Sequence, residues 1–312
     1  MTNSKKLNRD DSLTVKEKGQ AVVRIGLLVT LYFRGAHEND VRQNIMTLLA
    51  DYLRQCGDRL RWTTIPPKFT WARVKGNLLT EFRERLFSTP ADASWEFIAH
   101  GGAVHGEASD YRVEALGLAE WKDRIEHLSY FTALFPIDFF PDNQEDSFVA
   151  TVARWVREVK PIHGYGGLAI IESLANATRE RHEQTVFSIA QQFPGLEVDY
   201  PTVHSMNCAK GIKGINWLTI LSEPFVAQLG GISTLQTHFG DQFTIYPYSG
   251  GVIIQAGPQP QMGSGNECPD LYIKLNTILR PIRASNGHPF HHYGANRFDL
   301  DRSNEWLQRF DR

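Results

Sequence analysis

Residues 213–231 read KGINWLTILSEPFVAQLGG, and the sharp corner they encode sets the architecture of the chain. Ile215, Trp217, Leu218, Ile220 and Leu221 form a short apolar, aromatic run preceded by Gly211 and Gly214, the pattern of a strand covered on both faces. Ser222 suits an N-cap, Glu223 the first turn and Pro224 an early helical position. Phe225, Val226 and Leu229 then fall at helical spacing, and Gly230 with Gly231 supplies a stop that tolerates positive φ. A buried strand that turns at once into a helix pins a sheet and a helical layer to one core.

Outward from this corner the same alternation recurs. Gly164 to Ile171 reads as a second buried strand, followed by a helix from Asn176 to Phe193 that Pro194 and Gly195 end. Before it, Phe148, Val149, Val152, Trp155 and Val156 mark a helix running to Pro161. Downstream come a short helix at 233–239, a hairpin of 243–248 with 252–256 around Ser249 and Gly250, a helix at 271–279 and a last helix from Ser303. The N-terminal part opens with a strand at 21–33 and a helix from Asn39 that Gly57 stops. The stretch Trp62 to Trp71, with Pro66 and Pro67, reads as a connector, and Leu78, Leu79, Phe82, Leu86 and Phe87 as an amphipathic helix. Runs at 94–99, 111–118 and 130–140 suggest an antiparallel meander.

The expected fold class is therefore α+β: two intimately packed lobes with largely antiparallel sheets flanked by helices. Residues 1–20 read as a polar, frayed tail, 21–141 as the N-terminal lobe and 142–312 as the C-terminal lobe.

The pattern GxxGxNWLTxLxxPxxxxLGG at 211–231 resembles the central signature of the type VI secretion immunity protein family. Further matches follow in order: Gly250 to Ile253, Gln255 to Pro258, Tyr272, Leu275, Leu279 to Pro281, and finally Trp306, Arg309 and Phe310. Within this signature Gly214, Trp217, Leu218, Leu229, Gly230, Gly231, Trp306 and Phe310 have packing roles. The resemblance covers about residues 21 to 312 and implies an immunity protein, not an enzyme, that binds and neutralises a cognate type VI secretion toxin. The family's partners are often restriction-endonuclease-like, so a nuclease is the implied target. A secretion adaptor that escorts the toxin is the other reading.

Composition agrees with a soluble, intracellular protein. Of the 312 residues 42% are hydrophobic and 22% charged, with a net charge of −2, so neither a general nucleic-acid-binding surface nor a highly acidic mimic is implied. Cys56, Cys208 and Cys268 give neither a disulfide framework nor a zinc spacing, which points to the cytoplasm. Ala21 to Phe33 is too short to span a bilayer and contains Arg24, so it reads as a strand and not a signal.

Several clusters could carry chemistry. His100, Gly101, Gly102, His105 and Glu107 (HGGAVHGE) offer an oxyanion-hole-like HGG or a metal set for a hydrolase, but no G-x-S-x-G elbow exists; a glycine turn with solvated side chains is the simpler reading. His288, His291 and His292 fit a surface loop better than a metal site. Gly164-x-Gly166-Gly167 enters a strand, and Gly263-x-Gly265 lacks the Lys-Ser/Thr of a phosphate loop. His182 and Glu183 open like a zincin motif that Val186 breaks. Neither catalytic residues, cofactors nor metal ligands are expected. Asp138, Phe139, Phe140, Asp142, Glu145 and Asp146 form an acidic, aromatic run suited to face a cleft built for phosphates, and they are the candidate partner-binding residues. Asp299, Asp301 and Glu305 are a second acidic group, with Asp301 and Ser303 expected to cap the last helix.

Overall fold

A computed structural model of the protein describes residues 13–66, 68–140, 147–265, 267–284, 290 and 300–312. The strands are β1 (Val15–Glu17), β2 (Gln20–Phe33), β3 (Trp62–Ile65), β4 (Thr70–Arg73), β5 (Trp95–His100), β6 (Arg112–Gly117), β7 (Ser129–Phe135), β8 (His163–Glu172), β9 (Glu197–Val198), β10 (Leu218–Ser222), β11 (Phe243–Tyr248) and β12 (Gly251–Ala256). The helices are α1 (Asn39–Cys56), α2 (Leu78–Ser88), α3 (Glu120–Arg124), α4 (Phe148–Val159), α5 (Asn176–Gln192), α6 (Pro201–His204), α7 (Glu223–Gln228), α8 (Ile232–Phe239), α9 (Asp270–Leu279) and α10 (Leu300–Leu307).

All the strands belong to one sheet, ordered β11-β12-β10-β8-β2-β7-β6-β5-β3-β4, with β1 pairing β2 and β9 pairing β8 off this path. Every ladder is antiparallel except β8–β9. The antiparallel strands flanked by helices are as expected. The two strand groups, however, fuse: β2 and β8 lie side by side from Val23–Glu172 to Tyr32–His163, so the ladder crosses the boundary expected at 141/142.

Strand β2 is apolar almost throughout because both of its faces are covered. Val23, Ile25, Leu27, Val29, Leu31 and Phe33 point into the larger core, shared with α1, α4 and α5. Leu28 and Tyr32 point the other way, into a smaller cluster with Tyr130, Leu134, Tyr165, Ala169, Ile171 and Cys208.

The corner at 218–231 forms as its letters require. β10 is wholly buried between β8 and β12, and Ser222 is the extended residue before α7, although its side chain makes no capping bond. Gly230 and Gly231 take φ of 87° and 88°, which a side chain would oppose. Strand geometry begins only at Leu218, because Asn216 closes a local turn: its Oδ1 accepts from Trp217 N–H at 2.7 Å, and its N–H donates to Thr219 Oγ1 at 3.1 Å.

Elsewhere the structure corrects the reading. Trp62 to Trp71 is not a connector but the hairpin β3–β4, with Thr64 opposite Trp71 and Pro66 outside the ladder. The expected strand 130–140 stops at Phe135, since Pro136 has no N–H to continue it and its carbonyl accepts a turn bond from Phe139 N–H at 3.1 Å. Part of the expected tail is ordered: Val15–Glu17 folds back on β2 through Lys18 and Gly19, both at positive φ. Ser303 lies buried inside α10 and does not cap it; Asp301 is in the first turn and Asp299 lies outside the described residues.

Candidate partner-binding surface

The β5–β6 connection carries the HGGAVHGE letters, and the structure spends their polar groups on folding the loop. His100 ends β5 and is wholly buried, so it is not the solvated side chain expected; Trp71 covers it edge to face at 4.9 Å between ring centroids. Its Nδ1 accepts from Gly102 N–H at 3.2 Å. Burial, with Arg112 and His105 adding positive charge nearby, lowers its pKa to about 3, so the ring is neutral. Gly101 N–H donates to Tyr111 O at 2.8 Å and Ser109 Oγ at 3.2 Å, and Ala103 N–H donates to Glu107. The Gly101 and Gly102 amides that an oxyanion hole would need are thus already engaged. Among the described residues no group of three or more His, Cys, Asp or Glu side chains is placed to hold a metal ion. His288, His291 and His292 lie outside the described residues.

The loop is tied to the hairpin beside it. Trp62 Nε1 donates to Gly102 O at 3.1 Å, Arg73 donates to Ala103 O at 3.3 Å, and the Arg73 guanidinium lies 4.1 Å over the Trp62 ring. His105 is exposed and rests against both Trp62 and Trp71. This makes an aromatic and cationic corner at the β3–β4 edge of the sheet, a feature the sequence hides because strands of four residues carry too few letters for a period.

The described part of the acidic run, Asp138 to Phe140, follows β7 and lies beside the Tyr111 that precedes β6. Asp138 is exposed, whereas Phe139 and Phe140 are half-buried and close over Phe135 at centroid distances of 5.2 and 4.9 Å. Phe139 also meets Tyr111 edge to face at 6.1 Å, and Phe140 meets Phe148 at 5.5 Å. Asp142, Glu145 and Asp146 lie outside the described residues.

Under the opposite face of the sheet is a buried polar network. Tyr165 Oη and Thr30 Oγ1 each donate to Asp199 at 2.6 Å, and Tyr32 and Tyr165 share a hydroxyl contact of 2.9 Å. Burial pushes the Asp199 carboxyl up, but His204, Lys213 and Thr30 outweigh it and hold the pKa at about 2, so the group is a carboxylate. Next to it is a cavity of about 120 Å³ lined by Arg112, Glu114, Glu172, Arg179, Asp199 and Tyr200 among others. Of its ion pairs, Arg112–Glu114 at 3.6 Å lies within β6, and Arg179–Glu172 at 3.5 Å joins α5 to β8.

The family model for TsiV, type VI immunity for VRR-NUC, matches residues 44–310. The chain belongs to this family. Among solved structures, the Pseudomonas aeruginosa T6SS protein PA0821 superposes with a TM-score of 0.85 over 96% of this chain and 87% of that one; at 23% identity, this likeness shows the fold. No curated protein matches the chain.

The letters that carried the resemblance to the TsiV family are structural. Trp217 is buried against Phe148 and donates to Gly257 O at 2.9 Å. Lys213, whose role the sequence did not reveal, is buried with its Nζ 2.5 Å from Glu197 and 2.6 Å from Val198 O, and Asn216 Nδ2 donates to the other Glu197 oxygen at 3.1 Å. Trp306 and Phe310 are buried with Arg309 stacked on both, 3.5 and 4.3 Å from their ring centroids. Arg309 Nε donates to Pro194 O at 2.6 Å, tying the C-terminal helix to the end of α5. Gly164, Gly166 and Gly167 let β8 pass under close neighbours: a Cβ on Gly164 would lie 2.7 Å from Thr30 O. His182 pairs with Glu17 at 3.2 Å on the face of α5.

Proposed function

We propose that the protein binds a cognate type VI secretion toxin carrying a VRR-NUC nuclease domain and silences it by stoichiometric association, without chemistry of its own. Membership of the TsiV family carries this reading. The engaged amides and buried His100 of the HGG loop support it over a hydrolase. The cytoplasm is the proposed location, consistent with three free, buried cysteines. Among the described residues no helix is long and apolar enough to cross a membrane.

The run Asp138, Phe139, Phe140, Asp142, Glu145 and Asp146 is the proposed contact with the phosphate-receiving side of the nuclease cleft. Carboxylates compete there with nucleic acid for cationic groups, and the half-buried Phe139 and Phe140 are anchored on Phe135. A tight complex needs roughly 1,600 Å² of interface, so this run is a part of the surface and not the whole.

The test is a DNA-cleavage assay of a candidate cognate VRR-NUC toxin, with the protein titrated in. The expected result is loss of cleavage at a sharp stoichiometric endpoint, weakened by reversing Asp142, Glu145 and Asp146 to lysine. A bound toxin that still cuts DNA would instead mark the protein as an adaptor.

A further inference from the structure

We infer that the outer edge of β4 receives an extended, acidic segment of the bound toxin as an added strand. This inference rests on the immunity reading and says where part of the toxin sits.

The sheet has two ends. At one, β11 carries Pro247, which has no N–H to offer a new neighbour. At the other, β4 is free of proline, and among the described residues no strand pairs with its outer side. Val74 N–H points inward to Arg61 O at 2.9 Å; since amide direction alternates along a strand, those of Trp71 and Arg73 point outward. An unpaired edge of this kind is a template for strand addition.

The side chains state what kind of strand it accepts. Residues 61–75 hold four cations, Arg61, Lys68, Arg73 and Lys75, and no carboxylate, in a chain whose net charge is −2. Like charges set edge to edge repel, so the same residues that keep a second copy of this chain away favour a segment rich in Asp or Glu. Anchors for it are present at the hairpin tip, where Ile65 is 50% and Phe69 40% exposed. Phe69 is held at φ 49°, a conformation uncommon for a bulky residue. The strand is rigid from behind, through Arg73 over Trp62 and the bonds of both to the 101–111 loop, so little ordering is left to the binding step. A nuclease that holds catalytic metals on carboxylates has acidic segments to present.

The experiment compares the full-length wild type with Lys68→Glu/Lys75→Glu, two exposed positions outside the β3–β4 ladder. The probe is a catalytically inactivated VRR-NUC toxin domain. Calorimetry at low and high salt gives the affinity, and hydrogen exchange of residues 70–73 reports the edge. The expected result is an unchanged melting temperature, roughly tenfold or greater weakening at low salt that narrows at high salt, and slowed edge exchange in the wild-type complex. Variant binding equal to wild type, with edge exchange unaltered by the toxin, overturns the inference while leaving immunity intact. Failure of the wild type to bind the inactivated toxin, or to silence the active one in the cleavage assay, overturns the immunity reading, and this inference with it. If the wild type binds single-stranded DNA, the variant does not, and both hold the toxin equally, the edge is a nucleic-acid site and the inference is wrong.

Discussion

At the level of single residues, Lys213 carries a hard constraint hidden within the signature segment. Its ammonium is buried and satisfied by Glu197 and Val198 O, so removing it strands a carboxylate in a dry site. Lys213→Met should cost about 3–5 kcal/mol, and adding Glu197→Gln should recover much of the loss by removing the orphaned charge. Urea denaturation of the two variants decides it: equal midpoints for Lys213→Met and wild type would show that the pair contributes nothing. Trp217, four residues further on, was legible because an aromatic in an apolar run has one default fate. Lys213 was not, since a lysine at the rim of a glycine-rich stretch reads as solvated until Glu197, on a separate strand, is placed beside it. The same limit applied to His100, whose HGG context suggested exposure. Only the fold of β3–β4 over it, with Trp71 above the ring, makes it a core residue.

Among elements, His163 joins β8 to β10 and to the start of the signature segment. Its Nδ1–H donates to Ile220 O at 3.0 Å, and its Nε2 accepts from Lys213 N–H at 3.3 Å, so the neutral ring is the one that fits. Burial, with Lys213 and His204 nearby, lowers its pKa to about 3, the same value reached by His100. Below pH 6.5 the unfolded chain protonates these rings and the folded chain does not, so stability is full above that pH and falls as pH drops toward 3. Each histidine contributes a slope of roughly 1.4 kcal/mol per pH unit in that window. Asp199, held at about 2, adds its own loss only below the usual aspartate range near 3.8. Urea midpoints between pH 7 and 4.5 should therefore fall steeply, and His163→Gln should flatten the curve; an unchanged slope in that variant would refute the assignment. The long elements were legible because periodicity over ten or more residues outweighs local exceptions, as in α1 and β8. The hairpin β3–β4 and the short α3 were missed for one physical reason: four or five residues carry too few letters for a period, and partners across a ladder decide them.

For the molecule as a whole, the β2–β8 ladder makes the expected lobes interdependent. Separated at 141/142, each piece would expose one side of a central strand and its share of a common core. Residues 1–141 and 142–312 expressed alone should be insoluble or unfolded, while co-expression should return a pair that melts with one transition; a folded, soluble fragment would establish an autonomous lobe. That the chain is α+β with antiparallel strands could be read from alternating apolar runs. That it is a single sheet could not, because strand order is set by which edges meet in space and leaves no local mark in the letters. The central ladder also sets a timetable. Strand β2 is synthesised early, yet Val23 has no partner on β8 until Glu172 has been made. At about 5–20 residues per second, that leaves Val23 to Tyr32 waiting on the order of ten seconds for this neighbour, with β7 reaching Leu27 to Phe33 on the other side somewhat sooner. Newly made chains of this protein should depend on holding chaperones during that interval, and the supply of folded molecules is then limited by folding as well as by expression.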